Sequence, residues 1–149
     1  MPIVLDANIY LFAMKSDAGA AFFESRFLPL VFQSYLSSIV TEELYAGALD
    51  QGALRLVERH VAALEKAGRV LTPTFQDWKD AGKLVAQITR KEPHRKSGVQ
   101  QMLNDILLAA SARRIGADLF TFNRADFELI RRHKPFSLKV LKDEHVKIT

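Results

Sequence analysis

The stretch Ile3-Val4-Leu5-Asp6-Ala7-Asn8 is the part of the sequence from which the fold is most directly inferred. Its first three residues are all apolar, which is typical of a short strand buried on both faces of a parallel sheet. Asp6 follows this run at once, and in open parallel sheets ligands bind beyond the carboxyl ends of the strands. Asp6 is therefore a candidate site residue, although aspartate is also a favoured cap for the first turn of a helix.

Similar short apolar runs recur along the chain and alternate with segments of helical periodicity. Strand-like runs lie within 30–36, at 69–71, at 119–121 and within 136–140, and helices are predicted over 9–27, 39–48, 51–67, 74–91 and 103–115. Gly68 and Gly116 stand where two of these helices should end. The alternation predicts an α/β fold whose central, mainly parallel sheet is covered by helices on both faces.

The composition is that of an ordinary globular protein without internal repeats or linkers, so we expect a single domain over residues 1–149. No apolar run is long enough to cross a membrane, and Asp6 interrupts the apolar core that a signal peptide would need. We therefore expect a cytoplasmic protein. The absence of cysteine excludes disulfides, thiol nucleophiles and thiolate zinc sites. A formal charge of +4 is compatible with a polyanionic partner without identifying one.

Two adjacent glutamates lie in one predicted helix. The inward stripe of this helix consists of Val40, Leu44 and Gly47. Helical phase places Glu43 within that stripe and turns Glu42 about 100° away, toward solvent. A carboxylate on an inward stripe needs a partner, because burying an unpaired charge is costly. We therefore favour Glu43 as a site residue over the alternative that it pairs with a surface base at the edge of the stripe.

Asp105 begins the segment Asp-Ile-Leu-Leu-Ala-Ala-Ser-Ala, which is so apolar that its helix is expected to be central in the protein. We expect the helix dipole to help keep Asp105 ionised in the first turn. A carboxylate at this place could also be a helix cap, but Asn104 beside it could take that role instead.

Asp126 follows the predicted strand at 119–121, at the carboxyl end of a further strand. Asn123 is closer to that strand and is an uncharged candidate ligand. The pattern leaves two roles open for Asp126, the N-cap of a short helix and a position at a metal ion.

Several carboxylates gathered in one cleft repel each other strongly, and a divalent cation relieves that repulsion. Oxygen-only ligation suits Mg²⁺ or Mn²⁺. Such a site supports hydrolysis of a phosphodiester, because one metal ion lowers the pKa of the attacking water and another, about 3.5–4 Å away, stabilises the leaving oxygen. No general-base histidine is then required. The four histidines, His60, His94, His133 and His145, show no close metal-ligand spacing and are expected at the surface or in structural roles.

Four stretches of the sequence together carry a resemblance to a known family. They are Val4-Leu5-Asp6-Ala7-Asn8, Ser38-Ile39-Val40-Thr41-Glu42-Glu43-Leu44-Tyr45-Ala46-Gly47, Asn104-Asp105-Ile106-Leu107-Leu108-Ala109-Ala110-Ser111-Ala112 and Thr121-Phe122-Asn123-Arg124-Ala125-Asp126-Phe127. In this order and at these separations they resemble the motifs of the PIN-domain ribonucleases, specifically the VapC-type toxins of bacterial toxin–antitoxin pairs. The resemblance spans nearly the whole chain.

The resemblance implies a three-layer α/β/α sandwich around a central, mainly parallel sheet, and cleavage of RNA that depends on Mg²⁺ or Mn²⁺. It also implies homodimerisation and inhibition by a small cognate antitoxin. Asp6, Glu43 and Asp105 match the family's first three acids, which are both catalytic and metal-binding.

The fourth acid of the family is divided between two positions of this chain. The family often carries an acid near the place of Asn123, and a further acid before the phenylalanine, which is Asp126 here. Asp126 is taken as the fourth catalytic and metal-binding residue, and Asn123 as a supporting one. Asn8 matches a polar residue commonly found near the site, and Thr121 in the last motif is a further supporting residue.

Basic residues crowd the predicted loop that precedes the Asp105 helix. Arg95 and Lys96 in this loop could hold an RNA backbone while metal ions act on one phosphate. Arg113 and Arg114, at the far end of the same helix, are expected to be solvated surface.

Other interpretations of the sequence stay open. The chain could be a PIN-type nuclease of RNA processing outside a toxin–antitoxin pair, or a non-catalytic RNA-binding module. An aspartyl phosphotransferase is disfavoured, because Asn8 stands where its loop needs a second carboxylate. The phenylalanines Phe22, Phe23, Phe27 and Phe32 could line an apolar groove for a partner helix or pack in the core, and Trp78 is expected to pack.

Overall fold

The computed structural model describes residues 1–93, 98 and 102–142, and its centre is a five-stranded parallel sheet. The strands are β1 (Ile3–Leu5), β2 (Ser34–Ser37), β3 (Val70–Leu71), β4 (Asp118–Thr121) and β5 (Leu138–Val140), in the order β3-β2-β1-β4-β5. Every neighbouring pair runs parallel. The predicted α/β class and its parallel sheet are confirmed.

Helices connect the strands and cover both faces of the sheet. They are α1 (Ala7–Lys15), α2 (Asp17–Arg26), a 3₁₀ helix (Leu28–Gln33), α3 (Ser38–Gly47), α4 (Gln51–Lys66), α5 (Phe75–Lys91), α6 (Leu103–Arg114) and α7 (Arg124–His133). Crossovers between parallel strands are right-handed, which places α1 to α4 on one face and α5 to α7 on the other. The packing of α1 on α2, of α3 on α4, and of α6 on α5 and α7 agrees with this division.

The order of the strands reverses between β1 and β4, and this reversal defines the place where a ligand is expected. From β1 the chain moves outward through β2 to β3, and it then returns to β4 on the other side of β1. Leu5 of β1 is paired with Phe120 of β4, and the backbone N–H of Asp6 donates to the Phe120 carbonyl at 2.9 Å. The residues that follow these two strands therefore lie side by side.

The predicted helix over 9–27 is divided in two, which the periodicity did not indicate. Ser16 ends α1, and its hydroxyl accepts from the Gly19 backbone N–H at 2.9 Å to cap α2. The two helices then approach so closely that a Cβ at Gly19 would lie 2.0 Å from the carbonyl oxygen of Phe12. A side chain at position 19 would clash, so this helical hairpin requires glycine.

A cluster of phenylalanines fixes the α1–α2 hairpin against the end of β4. Phe27 packs on Phe120 with ring centroids 5.3 Å apart, and Phe12 packs edge-on against Phe122 at 5.7 Å. Phe22 touches Phe27 and Phe122 in the middle of the cluster. These contacts fix the position of Phe122, which follows Thr121 at the carboxyl end of β4, where the candidate site lies.

Other aromatic residues depart from the sequence-based expectations. Phe22 and Phe27 belong to the core, and Phe23 is the member of the predicted group that lies at a groove. Phe32 is 81% exposed, with the Arg69 guanidinium over its ring. The expectation that Trp78 packs in the interior is wrong, because half of its surface is exposed in the first turn of α5.

Arg113 and Arg114 are exposed, as expected, and each also makes hydrogen bonds to the rest of the fold. The Nε atom of Arg114 donates at 3.0 Å to the buried carboxylate of Asp77, and its Nη2 donates to the Thr72 carbonyl. Asp77 also forms a capping box with Thr74 at the start of α5. Arg113 donates from Nε to the carbonyl of Pro135. Both arginines thus fix the end of α6, the helix that carries Asp105, to its surroundings.

The helix α6 is as central as its composition predicts. Its buried residues are Ile106, Leu107, Leu108, Ala109, Ser111 and Ala112. Ser111, the one hydroxyl among them, donates to the Leu107 carbonyl one turn back, which satisfies it inside the core. Among the described residues, no helix is both long and apolar enough to cross a membrane.

Candidate active site

Asp6 lies at the carboxyl end of β1 and is almost fully buried. Its Oδ1 accepts from the Ala7 backbone N–H at 2.8 Å, so Asp6 caps α1. A capping role was one of the two that the sequence left open. The Oδ2 of Asp6 accepts from the Thr121 hydroxyl at 2.7 Å. Burial raises the pKa of Asp6, and these two hydrogen bonds oppose that rise. Asp6 caps the helix and still belongs to the acidic cluster, because its charge raises the pKa of both Glu43 and Asp105.

The Thr121 hydroxyl ties the ends of β1 and β4 together. Its single proton is donated to Asp6, while its lone pairs accept from Asn8 Nδ2 at 3.2 Å and from the Asn123 backbone N–H at 3.0 Å. The Oδ1 of Asn8 accepts in turn from the Phe122 backbone N–H at 3.3 Å. With both lone pairs used, the hydroxyl can only be a donor toward Asp6, which favours an ionised carboxylate there.

Glu43 is half-buried on α3, whereas Glu42 is exposed, as helical phase predicts. Gly47 is exposed as well, so the inward stripe is shorter than expected. The pKa of Glu43 is raised by burial and by the negative charge of Asp6. Asn104 Nδ2 donates to Glu43 Oε1 at 3.3 Å from the first turn of α6.

The charges of the three other acids all act on Asp105. Burial raises its pKa to about 7, and the charges of Asp6, Asp126 and Glu43 add to the rise. Burial and the like charges of its neighbours therefore oppose the ionisation that the helix dipole is expected to favour. Neither Asp105 nor Asn104 caps α6, which begins after Met102 without a side-chain cap.

Asn123, and not Asp126, caps α7. Its Oδ1 accepts from the Asp126 backbone N–H at 3.5 Å, and its Nδ2 donates to Asp126 Oδ2 at 3.2 Å. The interpretation of Asp126 as the N-cap is wrong, because Asn123 has that role. Asn123 uses its amide within the turn, while Asp126 is near enough to Asp105 to raise its pKa.

The donor set of this cluster fits a hard divalent cation. Its side chains offer carboxylate, hydroxyl and amide oxygens, and every charge that shifts the pKa of Asp105 is negative. In the part of the chain that the structure describes, no group of three or more His, Asp or Glu side chains is arranged to enclose an ion by itself. Mg²⁺ typically keeps several waters and binds to few carboxylates, so an open arrangement is compatible with it.

The family model of the PIN domain matches residues 3–132 of the sequence. The chain belongs to the PIN-domain family. PIN domains are generally nucleases, and the match includes all four acids of the cluster.

Solved structures share the fold of this PIN domain over nearly its whole length. They include DNA-bound VapBC from Salmonella typhimurium, with 24% identity, 94% of this chain and 98% of that chain covered, and a TM-score of 0.66. VapBC-1 from nontypeable Haemophilus influenzae has the same identity and coverage with a TM-score of 0.62. VapBC2 from Rickettsia felis bound to a promoter DNA fragment has 20% identity, 95% and 100% coverage, and a TM-score of 0.62. No curated protein sequence matches the chain.

The structure does not describe every basic residue considered from the sequence. Arg95 and Lys96, with His94, lie outside the described residues, as does His145. His60 is a structural residue, since burial lowers its pKa and its ring packs 4.7 Å from that of Tyr10. His133 lies 3.8 Å from Glu92, away from the four acids.

The raised pKa of Asp105 predicts how the stability of the metal-free protein depends on pH. The unfolded chain ionises Asp105 near 3.8, whereas the folded chain retains the proton up to about 7. The stability that this proton contributes is full below 3.8 and is lost as the pH rises through 7. In EDTA, the wild type should therefore unfold at a lower temperature at pH 8 than at pH 6.

Asp105→Asn should unfold several degrees above the wild type at pH 8 in EDTA, with a smaller difference at pH 6, because the buried charge is gone. Glu58→Gln, an exposed substitution on α4, is the matched control and should leave the profile unchanged. Thermal scans by circular dichroism measure both effects. A wild type equally stable at pH 6 and pH 8, or an Asp105→Asn variant of lower stability, would contradict this explanation.

Proposed function

We propose that the protein is an endoribonuclease that depends on Mg²⁺ or Mn²⁺ and acts as the toxin of a toxin–antitoxin pair that inhibits translation. The observation that carries the proposal is the mutual repulsion of Asp105 with Asp6, Glu43 and Asp126 where the strand order of a PIN domain reverses. Buried like charges destabilise a fold and persist where a site needs them. A bound cation would turn this repulsion into binding energy.

Each side chain of the cluster has a distinct part in the proposed reaction. Asp6 and Asp105 would hold the cation, and Glu43 and Asp126 would complete the set of carboxylates. When bound, the cation supplies an attacking water of lowered pKa and stabilises the negative charge on the leaving oxygen. Thr121 and Asn8 fix the orientation of Asp6, since the hydroxyl of Thr121 is shared between the two.

The substrate would be RNA, positioned with its scissile phosphate at the carboxyl ends of β1 and β4. Arg95 and Lys96 are proposed to contact its backbone, because they follow α5 and precede the helix that carries Asp105. The toxin would work in the cytoplasm as a homodimer, and residues 1–149 would form its single domain. An RNA-processing role would use the same chemistry. The toxin is favoured because the matched chains in two VapBC assemblies have almost the same length as this chain.

Substitution of the two central acids tests the chemistry. Asp6→Asn retains a side chain that can cap α1, and Asp105→Asn removes a charge from a helix that has no side-chain cap. Each variant should lower the rate of RNA cleavage by about two orders of magnitude or more, as loss of a key electrostatic group commonly does. Cleavage of a panel of single-stranded RNAs in Mg²⁺ and in Mn²⁺ measures this rate, and EDTA should abolish it.

Glu58→Gln, on the exposed face of α4, serves as the control for these measurements. Activity like that of the wild type in both aspartate variants would refute the mechanism. A wild type that binds RNA without cleaving it in either metal would favour the non-catalytic RNA-binding module.

A groove between the α1–α2 hairpin and α4 is the surface that we propose for the antitoxin. It contains a cavity of about 140 Å³ lined mostly by apolar side chains: Tyr10, Ala13, Met14, Phe23, Leu44, Leu56, Val57 and His60. Leu56 at its edge is 46% exposed. An apolar groove of this kind accepts the apolar face of an amphipathic helix, which a small partner protein can supply.

Leu56→Glu should prevent binding of the proposed antitoxin, because a charge would be buried against the apolar face of its helix. Leu49→Glu is a matched control, since Leu49 is 89% exposed and does not line the cavity. Co-purification from cells that express both proteins measures binding. The antitoxin site is wrongly assigned if Leu56→Glu retains the partner as well as Leu49→Glu does.

A further inference from the structure

A side-chain hydrogen bond links the two helices that carry Glu43 and Asp105. Asn104, at the second position of α6, donates from Nδ2 to Oε1 of Glu43, which lies 61 residues earlier on α3. We propose that Asn104 is a positioning residue, which holds the Glu43 carboxylate in the orientation that binds the divalent cation. This inference rests on the proposed function and extends it to a residue outside the acidic set.

The local structure gives no other reason for asparagine at this position. Asparagine is unfavourable within helices because its amide competes for backbone hydrogen bonds, and it is favoured at caps. At position 104 it caps nothing, because α6 begins after Met102 without a side-chain cap. Its side-chain amide instead donates a hydrogen bond to Glu43, on another helix. The residue is thus poorly suited to its helix and well suited to its distant partner.

Glu43 needs such a partner more than Asp6 does. Asp6 is fixed by two donors, the Ala7 backbone N–H and the Thr121 hydroxyl. Glu43 has the longer and more flexible side chain, lies half-buried beside Asp6, and accepts a side-chain hydrogen bond from Asn104. This bond occupies Oε1 and leaves Oε2 available to the cluster. Without it, repulsion by Asp6 and Glu42 would favour orientations that point to solvent.

The same contact sets the distance between two of the acids. Asn104 and Asp105 are neighbours in the first turn of α6, so a bond from Asn104 to Glu43 brings the Asp105 turn toward α3. Hydrogen-bond partners of metal ligands commonly affect metal affinity by about 10- to 100-fold. Because this bond is solvent-exposed and 3.3 Å long, we expect an effect at the lower end of that range.

The test is the affinity of the full chain for Mn²⁺, measured by titration calorimetry. Asn104→Leu retains the approximate volume of the side chain and removes the amide. It should raise the Kd for Mn²⁺ about tenfold, while kcat at saturating Mn²⁺ and RNA stays within about twofold of the wild type. Asn104→Gln, which retains the amide, should recover part of the affinity. A merely structural role would change the melting temperature and leave the Mn²⁺ affinity as it is.

Gln76→Leu is the matched control for the loss of an amide. Gln76 also stands at the second position of a helix, α5, and its exposed amide donates at 2.9 Å to the carboxylate of Asp80. Its removal eliminates the same kind of hydrogen bond away from the acidic cluster. The Kd for Mn²⁺ and the rate of RNA cleavage should not change in this variant.

A double-mutant cycle with Glu43→Ala shows whether Asn104 acts through Glu43. The loss of affinity from Asn104→Leu should disappear in the Glu43→Ala background, because that change leaves Asn104 no side-chain acceptor at position 43. Equal losses in both backgrounds, or no loss from Asn104→Leu alone, would overturn the inference. If the wild type binds no Mn²⁺, the proposed function fails and the role of Asn104 fails with it. If the wild type binds Mn²⁺ and cleaves RNA and Asp6→Asn does neither, the proposed function stands whatever Asn104→Leu does.

Discussion

Parallel pairing of β1 with β4 is the constraint on which the rest of the site depends. These strands come from opposite ends of the chain, and their pairing places Asp6 beside Thr121 with the hydroxyl 2.7 Å from the carboxylate. The reversal of strand order at this pair opens the sheet edge to a ligand. The phenylalanine cluster and the caps that start α1 and α7 then fix the turns that follow each strand. Glu43 and Asp105 reach the same place from helices α3 and α6.

Repulsion among the acids of the site destabilises the fold, and contacts elsewhere in the protein offset this. Asp105 is partly buried, and the charges of three neighbouring acids act on it, so its pKa rises to about 7. Hydrogen bonds moderate the same effect at Asp6, and Asn104 moderates it at Glu43. The far end of α6 is secured by Arg114, which pairs with the buried Asp77. A helix that carries an unfavourable charge at one end is thus firmly attached at the other.

Much of this arrangement could be predicted from sequence, because local patterns determine it. The apolar run before Asp6 indicated a buried strand, and helical phase separated Glu43 from Glu42. The unpredicted features depend on contacts between distant segments. The hydrogen bond between Asn104 and Glu43 joins residues 61 positions apart, and no periodicity reports it. The raised pKa of Asp105 could not be predicted for a related reason, since the other acids that act on it come from elsewhere in the fold.

The central claim is that a divalent cation relieves the repulsion within this cluster, and proton release on metal binding tests it most directly. Asp105 retains its proton up to a pH of about 7 without metal and must lose it to bind a cation. Mn²⁺ titrations at pH 6.5 in buffers of different ionisation enthalpy count the protons released. The account predicts substantial release at pH 6.5, little at pH 9, and a much smaller release at pH 6.5 in Asp105→Asn. Binding at pH 6.5 without proton release, or no binding of Mn²⁺ at either pH, would contradict it.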